Sequence, residues 1–174
     1  MVRAAALRVQ GTEPMTPNHA RLLVVDDSAS LREAICDVLQ GLGFLDIDEA
    51  AHGVRALEQF RSIDYDVVIT DWNMPFMNGL ELLKAIRGGP ERANTPVLLL
   101  TGEVTSQRVL EAIAAGANGF IVKPFITPAL PEKLMQIVAS LSPASEYLPP
   151  ITVSRGASGR PTYRAGSGST TIHL

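Results

Sequence analysis

One cysteine, Cys36, stands alone among 174 residues, so no disulfide can form within the chain. Histidine is nearly as scarce: His19, His52 and His173 lie far apart, and without a CxxC or HxxxH spacing a zinc centre is not expected. These absences suit a reducing compartment. Long apolar runs are missing too. The Ala-rich opening is interrupted by Arg3 and Arg8 before it reaches signal-peptide length, and no later stretch is long enough to span a bilayer. A cytoplasmic protein with no membrane insertion is the expectation. A basic, acid-poor start also suits an organelle transit peptide, and Met15 offers a second start site.

What is present is enough apolar material for one core: 46% of the residues are hydrophobic, and the length allows one domain with tails rather than two domains. Charge is unevenly placed. Arg3 and Arg8 against Glu13 give the head +1, and Arg155, Arg160 and Arg164 against Glu146 give the tail +2. The overall −3 therefore leaves −6 for residues 19–142. An acidic domain argues against nucleic acid as a direct ligand.

Hydrophobic periodicity divides that domain into alternating strands and helices. Leu22 to Val25, residues from Ile47, Val67 to Thr70, Val97 to Leu100 and Phe120 to Val122 read as strands. Between them, Leu31, Ile35, Val38 and Leu42 repeat at helical spacing behind Ser28, a helix cap. Helices are also expected over 53–60, over 80–87 after the Asn78-Gly79 turn, over 106–115, and through Leu130, Leu134, Ile137, Val138 and Leu141. Strands apolar on both faces, alternating five times with helices, predict a doubly wound parallel α/β sheet with helices on both faces; right-handed crossovers leave few topologies, and the flavodoxin-like order 2-1-3-4-5 is the expected one. Residues 1–18 read as a flexible extension. Residues 143–174, rich in Gly, Ser and Pro, read as a disordered tail that cannot offset its ordering entropy.

The strands end in reactive groups. Asp26 and Asp27 follow the first, Asp71 the third, Thr101 the fourth and Lys123 the fifth. In such a sheet the ligand crevice lies outside the carboxyl ends of strands one and three, so these side chains share one rim. Two carboxylates about 4 Å apart repel by about 4 kcal/mol at an effective dielectric near 20, so three of them need positive charge nearby. Hard oxygen donors favour Mg²⁺, and Lys123 adds a cation independent of metal. Asp71 is the candidate nucleophile. Cys36 reads as a buried, inert thiol and Trp72, the one tryptophan, as a partly covered loop aromatic beside the acids.

The segments VVDD, DWNMPFMNGLELLKAIR, VLLLTGE and GANGFIVKPF together resemble the receiver domain of bacterial response regulators, most of all the single-domain chemotaxis (CheY-like) type, over residues 19–142. The resemblance implies a phosphorelay protein whose Asp71 takes a phosphoryl group from a histidine kinase or a histidine phosphotransfer protein. It further implies Mg²⁺ held by Asp26, Asp27, Asp71 and the backbone carbonyl of Asn73. Lys123 would pair with the phosphoryl oxygens, the Thr101 hydroxyl would bond them, and Phe120 would pack inward as Thr101 moves. A cis bond before Pro124 is implied, as is a phosphorylation-dependent contact with a downstream effector, the protein acting as a monomer and not as an enzyme beyond self-phosphorylation and autodephosphorylation. Phe120 stands where the best-known chemotaxis members have tyrosine, so a hydroxyl-dependent effector contact is lost. Asn73 and Glu103 resemble the pairing of fast-dephosphorylating members, which implies a short-lived signal.

The same residues bear on other functions. A phosphate sink or relay would use the same site without an effector. An aspartyl phosphohydrolase commonly carries an acid/base carboxylate two residues after its nucleophile, where Asn73 stands. A flavin or nucleotide binder needs N–H donors after strand one, where this chain has Asp26-Asp27-Ser28 and no glycine. A DNA-binding regulator needs an output domain, which the tail does not provide.

Overall fold

The computed structural model describes residues 16–90, 92–103, 105–123 and 129–141, together with two short strands at 152–155 and 161–164. The apolar runs form β1 (Arg21–Val25), β2 (Asp46–Ala50), β3 (Val67–Asp71), β4 (Val97–Thr101) and β5 (Gly119–Val122), parallel throughout and ordered β2-β1-β3-β4-β5. This is the expected doubly wound order. The crossovers are α1 (Ala29–Gly41), α2 (Gly53–Ser62), α3 (Gly79–Arg87) and α4 (Ser106–Ala114), and α5 (Ala129–Ser140) follows β5. Boundaries move by one or two residues where apolar periodicity gives no signal. Thus β2 starts at Asp46, β5 at Gly119 and α3 at Gly79, while α2 runs on through the exposed Arg61 and Ser62.

Alternation along the strands feeds two cores. Leu22, Val24, Val67, Ile69, Leu98 and Leu100 pack with Ile35 and Leu39 of α1 and Leu134 and Val138 of α5. Leu23, Val25, Val68, Val97 and Leu99 pack on the other face with Phe60 of α2, Leu82, Leu83 and Ile86 of α3 and Ala112 of α4. β1, β3 and β4 are therefore buried on both sides, which is why they read as unbroken apolar runs. Cys36 sits on the buried face of α1, and burial pushes its thiol up to about 11, as expected of an inert cysteine.

Polar caps turn the chain at the carboxyl ends of the strands. Ser28 accepts from the Leu31 amide to start α1, Thr105 from the Arg108 amide to start α4, and Asn78 and Glu81 form a reciprocal capping box at α3. Gly79 is required at that last turn by close approach: its amide donates to the Trp72 carbonyl at 3.0 Å, and an added Cβ would lie 2.1 Å from the Asp71 carbonyl oxygen. Gly79→Ala is expected to cost about 2–3 kcal/mol, read by urea unfolding, because backbone rather than a flexible side chain must yield.

Arg87, at the end of α3, ties the loops entering β4 and β5 together. It donates to the carbonyls of Ala93, Thr95 and Gly116 and to Asn118 Oδ1, at 2.7–3.1 Å. Within the span expected to be an unstructured tail, β6 (Thr152–Arg155) and β7 (Pro161–Arg164) pair antiparallel with Val153 opposite Tyr163. The β-forming Val153 and Tyr163 are masked in the sequence by the Gly, Ser and Pro around them. The rest of the tail, residues 1–15 of the extension and Pro124 with its expected cis bond lie outside the described residues.

Candidate functional site

Four strand ends, those of β1, β3, β4 and β5, and the residues just beyond them build the rim. The ladder continues one residue past the strands: the Asp26 amide donates to the Ala50 carbonyl at 3.2 Å, Trp72 to Leu100 at 2.8 Å and Lys123 to Thr101 at 2.7 Å. Lys123 is thus fixed beside Thr101 by backbone pairing. Asp26, Asp27 and Asp71 each offer a carboxylate oxygen, all within 4.8 Å of one another; Asp26 and Asp71 are buried and Asp27 is exposed. Lys123 Nζ lies 2.9 Å from Asp26 Oδ2 and 3.0 Å from Asp71 Oδ1.

Burial raises the Asp71 carboxyl above its ordinary value; Lys123 pulls it back and Asp26 adds to the rise. For Lys123, burial pulls the ammonium down, but the bonds and charges of Asp26 and Asp71 prevail and its pKa ends above the ordinary value. Asp26 Oδ1 accepts from the Ser28 amide at 2.8 Å while Oδ2 takes the lysine, and Asp71 takes the same lysine and the Trp72 amide. An all-oxygen, multiply anionic donor set of this kind suits a hard divalent cation such as Mg²⁺.

Thr101, buried at the end of β4, donates its hydroxyl proton to the Glu103 carbonyl at 2.7 Å and accepts from the Glu103 amide at 3.2 Å. Residues 22–135 match the family described as the response regulator receiver domain. The chain belongs to that family. The chemotaxis protein CheY-3 of Vibrio cholerae is 42% identical over 129 residues, which cover 74% of this chain and 99% of that protein. The V. cholerae CheY4 structure is 39% identical with a TM-score of 0.64, covering 68% of this chain and 98% of that one. Response regulator TrrA of Thermotoga maritima, solved with Mg²⁺ and BeF, is 36% identical with a TM-score of 0.61, over 68% of this chain and 98% of that one.

Receiver domains of the chemotaxis type are signalling proteins rather than classical enzymes, and they imply a histidine kinase upstream and effectors downstream. They bind Mg²⁺ at an acidic pocket, and this receiver domain gathers Asp26, Asp27 and Asp71 at the corresponding rim. Among its described residues no helix is long and apolar enough to cross a membrane.

The remaining expected residues surround that receiver-domain rim. Asn73 is exposed in the loop after β3, Glu103 is exposed and brackets the Thr101 hydroxyl through its backbone, and Phe120 on β5 is half-buried against the α2–α3–α4 core. Trp72 differs from expectation. It is only 7% exposed, because the chain turns inward to pair its amide with β4 and the indole joins the core. Arg108 was not foreseen: its guanidinium lies over the Trp72 ring at 5.4 Å and reaches Thr101 Oγ1 and Asn73 Oδ1, each at 3.4 Å. An arginine in the first turn of an amphipathic helix gives no sequence signal apart from a solvated face.

Proposed function

We propose that this receiver domain acts as a chemotaxis-type response regulator on its own, phosphorylated on Asp71 by a histidine kinase or histidine phosphotransfer protein and read by an effector that binds the phosphorylated form. The observation that carries this reading is the buried Asp71 carboxylate, 3.0 Å from the Lys123 ammonium and grouped with Asp26 and Asp27. An Asp71 oxygen attacks the phosphorus of phosphohistidine in line, the P–N bond breaks, and the imidazole leaves with its electron pair. Lys123 stays in place to pair with the charge delivered to the rim.

Mg²⁺ would be held by Asp27 and Asp71, with Asp26 behind them and the Asn73 carbonyl completing the protein set, and would supply charge neutralisation at the phosphoryl oxygens. The Thr101 hydroxyl is the group that leaves Glu103 for the new phosphoryl, and Phe120 packs into the space it vacates. Asn73 and Glu103 tune the lifetime of the product. The protein is read as a cytoplasmic monomer without direct contact to nucleic acid.

Trp72 provides the test, since it adjoins Asp71 and is the one tryptophan. Its emission is expected to change once on Mg²⁺ addition and again on acetyl phosphate addition, the second change disappearing in Asp71→Asn. A single response insensitive to the substitution would refute the reading. Burial raises the Asp71 pKa, so in chelator its carboxyl is expected to titrate above the ordinary aspartate value of about 3.9, followed by carboxyl NMR, and Mg²⁺ held by the same carboxylate is expected to lower that midpoint.

A further inference from the structure

We propose that Arg108 is a positioning residue that latches the unphosphorylated state, holding the Thr101 hydroxyl and the Asn73 side chain in their resting places until Asp71 is phosphorylated. This rests on the reading of Asp71 as phosphoacceptor and names how its switch is restrained.

A threonine hydroxyl has one proton to donate and two lone pairs to accept with. All three capacities are filled at Thr101: the proton goes to the Glu103 carbonyl, and the lone pairs face the Glu103 amide and Arg108 Nη1. Both Glu103 partners are backbone. Arg108 is the partner that can withdraw by side-chain rotation alone, without moving the loop after β4. Its other ends grip the two residues that follow Asp71, through Nη2 on Asn73 Oδ1 and the guanidinium face on Trp72. One side chain on α4 thus joins the hydroxyl that must move to the two residues next to the nucleophile.

The strengths suit a latch rather than a permanent brace. Both hydrogen bonds are 3.4 Å long, and a guanidinium on an indole is a modest attraction. When Asp71 is phosphorylated the Thr101 hydroxyl must leave the guanidinium, so the bond from Arg108 opposes the switch. Lysine carries the charge but has neither the fork nor the flat face.

The experiment titrates beryllofluoride with Mg²⁺ into the full chain, wild type, Arg108→Met and Arg108→Lys, reading the midpoint of the Trp72 emission change, with thermal melts of each protein and acetyl phosphate adducts by mass spectrometry alongside. Release of the latch is expected to lower the midpoint about 3- to 10-fold in Arg108→Met, with Arg108→Lys lowered to a similar degree. A raised midpoint in Arg108→Met that Arg108→Lys restores would overturn the latch in favour of simple attraction of anions. Unchanged midpoints, with or without a lower melting temperature, would overturn it in favour of a packing role. If wild type forms no adduct, the phosphoacceptor reading fails and the latch falls with it; if wild type forms adduct and the midpoints do not move, the latch alone fails.

Discussion

Lys123→Ala is expected to lose about 3 kcal/mol of folding stability in chelator and to slow phosphorylation at least about 100-fold. The lysine is the cation in contact with both Asp26 and Asp71, and both carboxylates are buried. Removing the ammonium leaves two carboxylates facing each other and a third nearby. The low end of the range for a broken buried pair applies, because the Lys123 side chain is 19% exposed and Asp71 can protonate instead. Mg²⁺ replaces part of the missing charge, so the variant is expected to gain more stability from the cation than wild type does. Urea unfolding with chelator and with Mg²⁺ measures both. In wild type the Lys123 pKa is raised, so its pairing contributes stability fully below the unfolded lysine value of about 10.4, lost as pH rises through the higher folded value.

Asp71→Asn is expected to abolish phosphorylation while making the protein more stable by about 1–2 kcal/mol in chelator at neutral pH. The neutral amide removes the repulsion of Asp26 and Asp27 and the desolvation of a buried anion, while Lys123 keeps Asp26 as a partner. The sign follows from linkage. Burial raises the folded Asp71 pKa, so the favourable contribution is present below the unfolded aspartate value and lost as pH rises through the folded value; at neutral pH the ionised group is a cost. Thermal melts of wild type and Asp71→Asn against pH are expected to converge in acid and separate toward neutrality. A proposed phosphoacceptor that weakens its own fold fits a site that trades stability for reactivity.

The sheet was readable because β1, β3 and β4 are buried on both faces and so carry continuous apolar runs. β2 was less distinct: at the sheet edge its Asp46, Asp48 and Glu49 face ion pairs with Arg21 and Arg32 instead of a core. Asp26, Asp27, Asp71, Thr101 and Lys123 were locatable because each follows such a run directly, and parallel pairing brings their ends to one side. Arg108 was not, since its contacts depend on a side chain crossing from α4 to two other loops, which helical periodicity does not encode. Trp72 is misread from sequence for a related reason: the chain continues pairing for one residue beyond the end of β3 and turns the indole under the rim.

The central claim is that Asp71 accepts the phosphoryl group, and chemical trapping tests it most directly. The full chain is incubated with Mg²⁺ and acetyl phosphate, reduced with borohydride to convert any aspartyl phosphate to homoserine, digested and mapped by tandem mass spectrometry. The account predicts homoserine at position 71, dependent on Mg²⁺ and on donor. No conversion there, or conversion at Asp26 or Asp27 instead, would contradict it.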